Sequence, residues 1–176
     1  MKNTSNSPFV FDVFELMRNG TVDYHTQTGP SPTRIGPAMI AIPEGGNVTV
    51  DATLTPLGDA IMVDANIHAQ LQGECVRCLT PLHPEADLHV TQVFAATEDF
   101  ITGDEADDDE TDDVPMITND HIDLLQSIID EAGMTLPFNP VCPNDCNNTE
   151  VPEPDGVSGE TEEKIDPRWS GLEKYL

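Results

Sequence analysis

The chain has 176 residues, an apolar fraction of 38%, and seven Lys and Arg against 33 Asp and Glu, for a formal net charge of −26. That length suits one domain with tails or an insertion. Its few cations are scattered (Lys2, Arg18, Arg34, Arg77, Lys164, Arg168 and Lys174), which excludes general electrostatic binding of nucleic acid, because that requires clustered Lys and Arg to release counterions.

Residues 1–8 read as a flexible N-terminus and 9–176 as a single domain. Phe9, Phe11 and Val13 alternate with Val10, Asp12 and Phe14, a strand pattern. The apolar stretch Phe9–Met17 is broken by Asp12 and Glu15, so it does not read as a signal peptide. No run of about 18 apolar residues exists to span a membrane. The chain is therefore expected in the cytoplasm, where thiols stay reduced. Arg18–Gly36 is rich in Gly, Pro, Thr and Ser and reads as a long loop.

From Ala38 to Phe94 the signals are β. Ala38–Ile42 is a short apolar run ending at Pro43, and Gly45-Gly46-Asn47 marks a turn. Val48, Val50, Ala52 and Leu54 then share one face. After a second turn at Pro56–Asp59, Ile61, Val63, Ala65, Ile67 and Ala69 alternate with polar residues, the clearest period of two in the chain. Leu88, Val90, Gln92 and Phe94 continue it. Successive strands with short turns predict an α+β fold, mainly an antiparallel β meander or small barrel with one packed helix.

An acidic insert is expected over 98–115. Ten of the sixteen residues from Glu98 to Asp113 are acidic, and such a block reads as disordered. It lacks the ligand spacing of a calcium loop. The spacing of Ile122, Leu125, Ile129 and Ala132 predicts a helix over 119–132, capped by Asn119 or Asp120 and stopped at Gly133. Residues 147–164 read as a second flexible stretch. A short C-terminal helix is expected from Asp166-Pro167, with Trp169, Leu172 and Leu176 along one face.

The four cysteines carry the strongest chemical signal. Cys75-Val-Arg-Cys78 and Cys142-Pro-Asn-Asp-Cys146 are two close pairs. Each presents two sulfurs from a tight turn, as a tetrahedral zinc site with four thiolates requires. The functional reading is one structural zinc ion clipping a strand end to the segment after the helix. The alternatives are four reduced thiols without metal, or a thiol redox or metal-handling protein using Cys75 and Cys78, with Arg77 favouring the thiolate. The sequence reads as strand on both sides of that pair, unlike the helix start of a dithiol oxidoreductase. His83 lies near enough to replace a sulfur, but a surface role is the simpler reading. His25, His68, His89 and His121 lack metal spacing. No phosphate loop or nucleophile elbow is present, and no carboxylate pair stands out as catalytic, so the chain reads as non-enzymatic.

Three segments resemble the YceD family. Gly73-Glu-Cys-Val-Arg-Cys-Leu79 resembles its Cys-x-Arg-Cys-Leu signature. Leu136-Pro-Phe-Asn-Pro-Val-Cys-Pro-Asn-Asp-Cys146 resembles its later cysteine segment, and Asp166-Pro-Arg-Trp-Ser-Gly-Leu172 its closing Asp-Pro-Arg motif. The resemblance covers the chain from about Phe9 onward, outside the acidic inserts. It implies a YceD-like domain linked to accumulation or processing of large-subunit (23S) ribosomal RNA. It also implies metal ligation by Cys75, Cys78, Cys142 and Cys146. It supplies no catalytic residues. Many members follow the second pair with Gly-Leu-Cys and a further Cys-Gly, whereas Asn147-Asn148-Thr149 follows here. The expected partner is a basic ribosomal protein or a ribosome-assembly intermediate, with limited or indirect RNA contact and no small-molecule substrate. Arg168, Trp169, Lys174 and Tyr175 form a candidate contact patch, where aromatics stack and cations meet phosphate.

Overall fold

The computed structural model describes residues 7–97, 114–144 and 146. The acidic block 98–113, the stretch 147–164, the C-terminal helix and the patch Arg168, Trp169, Lys174 and Tyr175 lie outside them.

In chain order the elements are β1 (Val10–Asp12), α1 (Phe14–Asn19), β2 (Asp23–Pro30), β3 (Ile40–Ala41), β4 (Asn47–Pro56), β5 (Ala60–Gln70), β6 (Gln72–Glu74), β7 (Pro81–Leu82), β8 (Glu85–Ala95), β9 (His121–Asp123) and α2 (Leu125–Thr135). The period-two stretches form one antiparallel sheet in the order β2–β4–β5–β8. Val50, Ile67 and Leu88 lie in one cross-strand row, and Ala52, Ala65 and Val90 in the next. All six are buried. Phe9, Phe11, Val13 and Leu16 join the same apolar cluster from the N-terminal side, and Leu124, Ile128, Ala132 and Leu136 from α2 and its ends. Each fully buried aliphatic side chain contributes about 1.5–3 kcal/mol by leaving water. A second small sheet pairs β1 with β9, and a third runs β3–β6–β7. The sheets are open, so the meander is the form adopted and the barrel is not.

Two excursions matter for the site. Between the neighbours β5 and β8 the chain leaves the main sheet at Leu71 and returns at Pro84, closed by the Leu71 N–H donating to the Pro84 carbonyl at 2.8 Å. Within that excursion β6 and β7 form a hairpin, and β3 lies along the other side of β6. Gly73 is required there, since a Cβ at this position would sit 2.4 Å from the Met39 carbonyl oxygen. The other excursion starts after β8. Ala95 donates to the Pro115 carbonyl at 3.0 Å and accepts from the Ile117 N–H at 2.9 Å. The chain thus departs and returns at one place on the sheet.

Four expectations are corrected. The helix spans Leu125–Thr135 rather than 119–132. Asn119 and Asp120 do not cap it. Both have positive φ (51° and 61°), and Thr118 and His121 exchange two 3.0 Å backbone bonds across them. They make a two-residue hairpin turn, for which Asn and Asp are suited because they tolerate the left-handed region. Asp123 serves the helix start instead, its Oδ1 accepting from the Leu125 N–H at 2.9 Å. Gly133 stays helical, and the end comes at Leu136, which is extended (ψ 143°) because it precedes Pro137. Finally, the loop expected over Arg18–Gly36 contains the end of α1 and all of β2. Strand β2 lies at an edge of its sheet, and only His25, Gln27 and Gly29 are even half-buried. Its alternation is polar against polar, which the hydrophobic period does not register. Among the described residues no helix is long and apolar enough to cross a membrane.

Candidate metal centre

The first cysteine pair sits at the tip of the β6–β7 hairpin. Glu74 pairs with Pro81, and the next rung is the Cys75 N–H donating to the Thr80 carbonyl at 2.9 Å. The chain then folds into a tight knuckle, with the Leu79 N–H donating to the Cys75 carbonyl at 2.8 Å. Closing that knuckle places Leu79 at φ 57°, a left-handed conformation uncommon for a residue with a Cβ. The second pair arrives on the segment that follows α2. The Val76 N–H donates to the Pro140 carbonyl at 2.9 Å and ties that segment to the knuckle.

The result gathers the four sulfurs. Cys75 Sγ lies 3.6 Å from Cys146 Sγ, and Cys78 Sγ lies 3.5 Å from Cys142 Sγ. All four lie within 4.8 Å of one another. A tetrahedral zinc ion with Zn–S of about 2.3 Å requires sulfurs about 3.8 Å apart. The spacing therefore fits a four-thiolate ion, and a group of this kind can hold a metal. Cys75 is buried and the other three are half-buried. His83 is exposed and lies outside the group.

The electrostatics divide the pairs. The Cys75 thiol is lowered from 9.0 to about 6, chiefly by the Cys78 N–H. Burial opposes this, and the Arg77 and Cys142 N–H groups add to it. Cys78 is also lowered, first by the Thr80 hydroxyl, 3.2 Å away, and then by the Thr80 N–H. Cys142 is pushed up to about 12, first by Cys78 and then by Cys75, with burial adding to both. Cys146 is raised as well, first by Cys75. Backbone donors stabilise negative sulfur at the knuckle, and the second pair keeps its protons because it faces that negative charge. A cation held among the four would reverse this and let all of them ionise.

Sequence reasoning named the four thiols. It missed the groups that tune them, the hydroxyl of Thr80 and the knuckle N–H donors, and the Pro140 carbonyl that ties the second segment to the knuckle. Only Thr80, two residues beyond Cys78, left a trace in the sequence. Arg77 is exposed, and its contribution comes through its backbone N–H rather than the charge expected of its side chain.

Residues 63–176 match the family described as large ribosomal RNA subunit accumulation protein YceD. An uncharacterized protein of Mycobacterium tuberculosis and one of Mycobacterium bovis are each 36% identical over 178 residues, covering 97% of this chain and 82% of theirs. An uncharacterized protein of Mycobacterium leprae is 34% identical over 182 residues, covering 97% of this chain and 78% of its own. No solved structure matches the chain.

Proposed function

The chain belongs to the YceD family, and from that premise we infer that it is a non-catalytic accessory protein in the accumulation of large-subunit (23S) ribosomal RNA, braced by a structural zinc ion. One observation carries the reading. The span matched to the family, residues 63–176, contains both cysteine pairs, and their four sulfurs lie within 4.8 Å of one another. Zinc suits this set because it takes four thiolates tetrahedrally and has no redox chemistry of its own. Cys75, Cys78, Cys142 and Cys146 are its ligands, and the ion joins the β6–β7 hairpin to the segment after α2. The protein works in the cytoplasm, on a basic ribosomal protein or an assembly intermediate. A net charge of −26 favours cationic partners over phosphate.

The test is the ratio of 23S to 16S ribosomal RNA in cells lacking the gene. A lowered ratio is expected, restored by the wild-type chain and not by a Cys75→Ser, Cys78→Ser variant. An unchanged ratio defeats the reading. Metal analysis of the protein purified under reducing conditions should find zinc, and iron would show as a coloured protein.

A second reading, thiol redox chemistry at Cys75 and Cys78, has the lowered Cys75 value in its favour. The burial of Cys75 counts against it, since an attacking thiolate must be reached. Alkylation of the native, metal-free protein near pH 7 separates the two. Rapid labelling of Cys75 supports redox chemistry, and protection supports the brace.

A further inference from the structure

The sheet β2–β4–β5–β8 packs one face on the core, and its other face is open. On that outer face Thr26, Asp51, Asn66 and His89 form one cross-strand row, and Tyr24, Thr53, Asp64 and Thr91 the next. Asp87 lies beside them, opposite His68. None of these four strands contains a Lys or Arg. That absence is unusual for a solvated sheet, where opposite charges across strands add stability and edge strands commonly carry Lys to block further pairing.

The carboxylates on the face reach solvent while Asp51 accepts from the Thr26 hydroxyl at 2.6 Å and Asp64 from the Thr91 hydroxyl at 3.3 Å. Asp87 is 81% exposed, and Asp51 and Asp64 are nearly half exposed. Their ionisable neighbours on the face are His68, His89, Tyr24 and Glu85, the last sharing the outward side of β8 with Asp87. His68 lies 2.5 Å from Asp87 and 3.7 Å from Asp51, and His89 lies 3.6 Å from Asp64. Tyr24 is 75% exposed on the same face, an aromatic ring with its surface open to a cation.

We propose that this outer face docks an arginine- and lysine-bearing segment of a partner protein, with Asp51, Asp64 and Asp87 receiving its cations and Tyr24 offering its ring. The occupant follows from charge complementarity. The face carries Asp51, Asp64, Asp87 and Glu85 and no Lys or Arg, so it repels phosphate and attracts guanidinium and ammonium groups. Asp51 and Asp64 are diagonal neighbours on adjacent strands, about 7–8 Å apart. That matches alternate residues of an extended chain, about 6.8 Å apart. The carboxylates do not converge as metal ligands would; among the described residues only the four cysteines do so. The proposal deepens the partner half of the function above and rests on it.

The experiment measures binding of a labelled peptide of alternating arginine and serine, about ten residues long, to the full chain by fluorescence anisotropy. Three proteins are compared: wild type, Asp51→Asn with Asp64→Asn and Asp87→Asn, and Asp107→Asn with Asp108→Asn and Asp109→Asn. The two variants carry the same net charge. The face variant is expected to bind roughly tenfold more weakly and the acidic-block variant to change less than about twofold. A melting curve checks folding, and Asp87→Asn alone, at an exposed position, serves if the triple variant unfolds. Equal losses in both variants would mean that only overall charge matters, and would overturn the proposal. So would an absence of peptide binding by the wild type. Binding of a labelled RNA oligonucleotide that weakens on adding the peptide would overturn it too. If binding fails while gene loss still lowers 23S RNA, only the docking face falls. If binding holds and the RNA ratio is unchanged, the ribosomal reading falls instead.

Discussion

Replacing Cys78 with Ser removes one of the four sulfurs and opens the link from the hairpin to the segment after α2. Cys78 and its neighbour Cys142 are 64 residues apart in sequence. Closing a loop of that length removes roughly 4 kcal/mol of unfolded-chain entropy at 25 °C. For a fold of this size such a loss lowers the melting temperature by roughly 10–15 °C. The assay is thermal unfolding followed by circular dichroism, on zinc-loaded and chelated samples of wild type and Cys78→Ser. The loaded wild type should melt highest, and chelation should bring it down to the variant. Chelation should scarcely move the variant. The reasoning is refuted if the chelated wild type still melts well above the variant, because Cys78 would then be stabilising by packing rather than by ligation. It is also refuted if loaded and chelated wild type melt within about 2 °C of each other.

Other expectations follow from the same geometry. At pH 7 zinc binding should displace protons chiefly from Cys142 and Cys146, fewer than four in all, because Cys75 is held at about 6. Calorimetry in buffers of different ionisation heat measures this, and release of four would contradict it. Below about pH 6 Cys75 also takes up its proton, so affinity should fall more steeply with acid. In the metal-free fold Cys75 binds fewer protons than in the unfolded chain between about 6 and 9. Its stabilisation is therefore full above 9 and fades as the pH drops through 6. Gly73→Ala should cost about 1–3 kcal/mol in a denaturant titration, because its Cβ would meet the Met39 carbonyl at 2.4 Å. Leu79→Gly should hold or raise the melting temperature, since Leu79 is 65% exposed and glycine relieves about 1–2 kcal/mol of left-handed strain. Leu79→Val should lower it.

The sequence was most informative where burial was one-sided. The alternation of Ile61, Val63, Ala65, Ile67 and Ala69 located β5 because each of these residues faces the core. The spacing of the cysteines anticipated their gathering because two tight turns must each present paired sulfurs. Strand β2 escaped detection because its half-buried residues are His, Gln and Gly, and its order comes from pairing with β4. Helix α1 escaped because Leu16 is its only buried residue, while Phe14 and Met17 are exposed. Asn119-Asp120 misled because one short polar side chain serves both helix caps and left-handed turns, and the choice depends on whether a partner strand is present. Here Thr118 pairs with His121 across the turn, and β9 is held in place by β1, which pairs Phe11 with Ile122. No local pattern near residue 120 could reveal a partner more than a hundred positions earlier.

The bonds from Ala95 to Pro115 and Ile117 have a practical consequence. The residues that flank the most acidic stretch of the chain are bonded to each other at one place on the sheet. A flexible linker added between two such fixed ends costs only about 0.6 kcal/mol per doubling of its length, so the attachment tolerates an insertion between them. This makes 98–113 a permissive graft site. A fluorescent reporter or affinity tag spliced between those positions should leave the sheet and the cysteine knuckle as they are. The protein could then be followed in cells without touching either end of its chain.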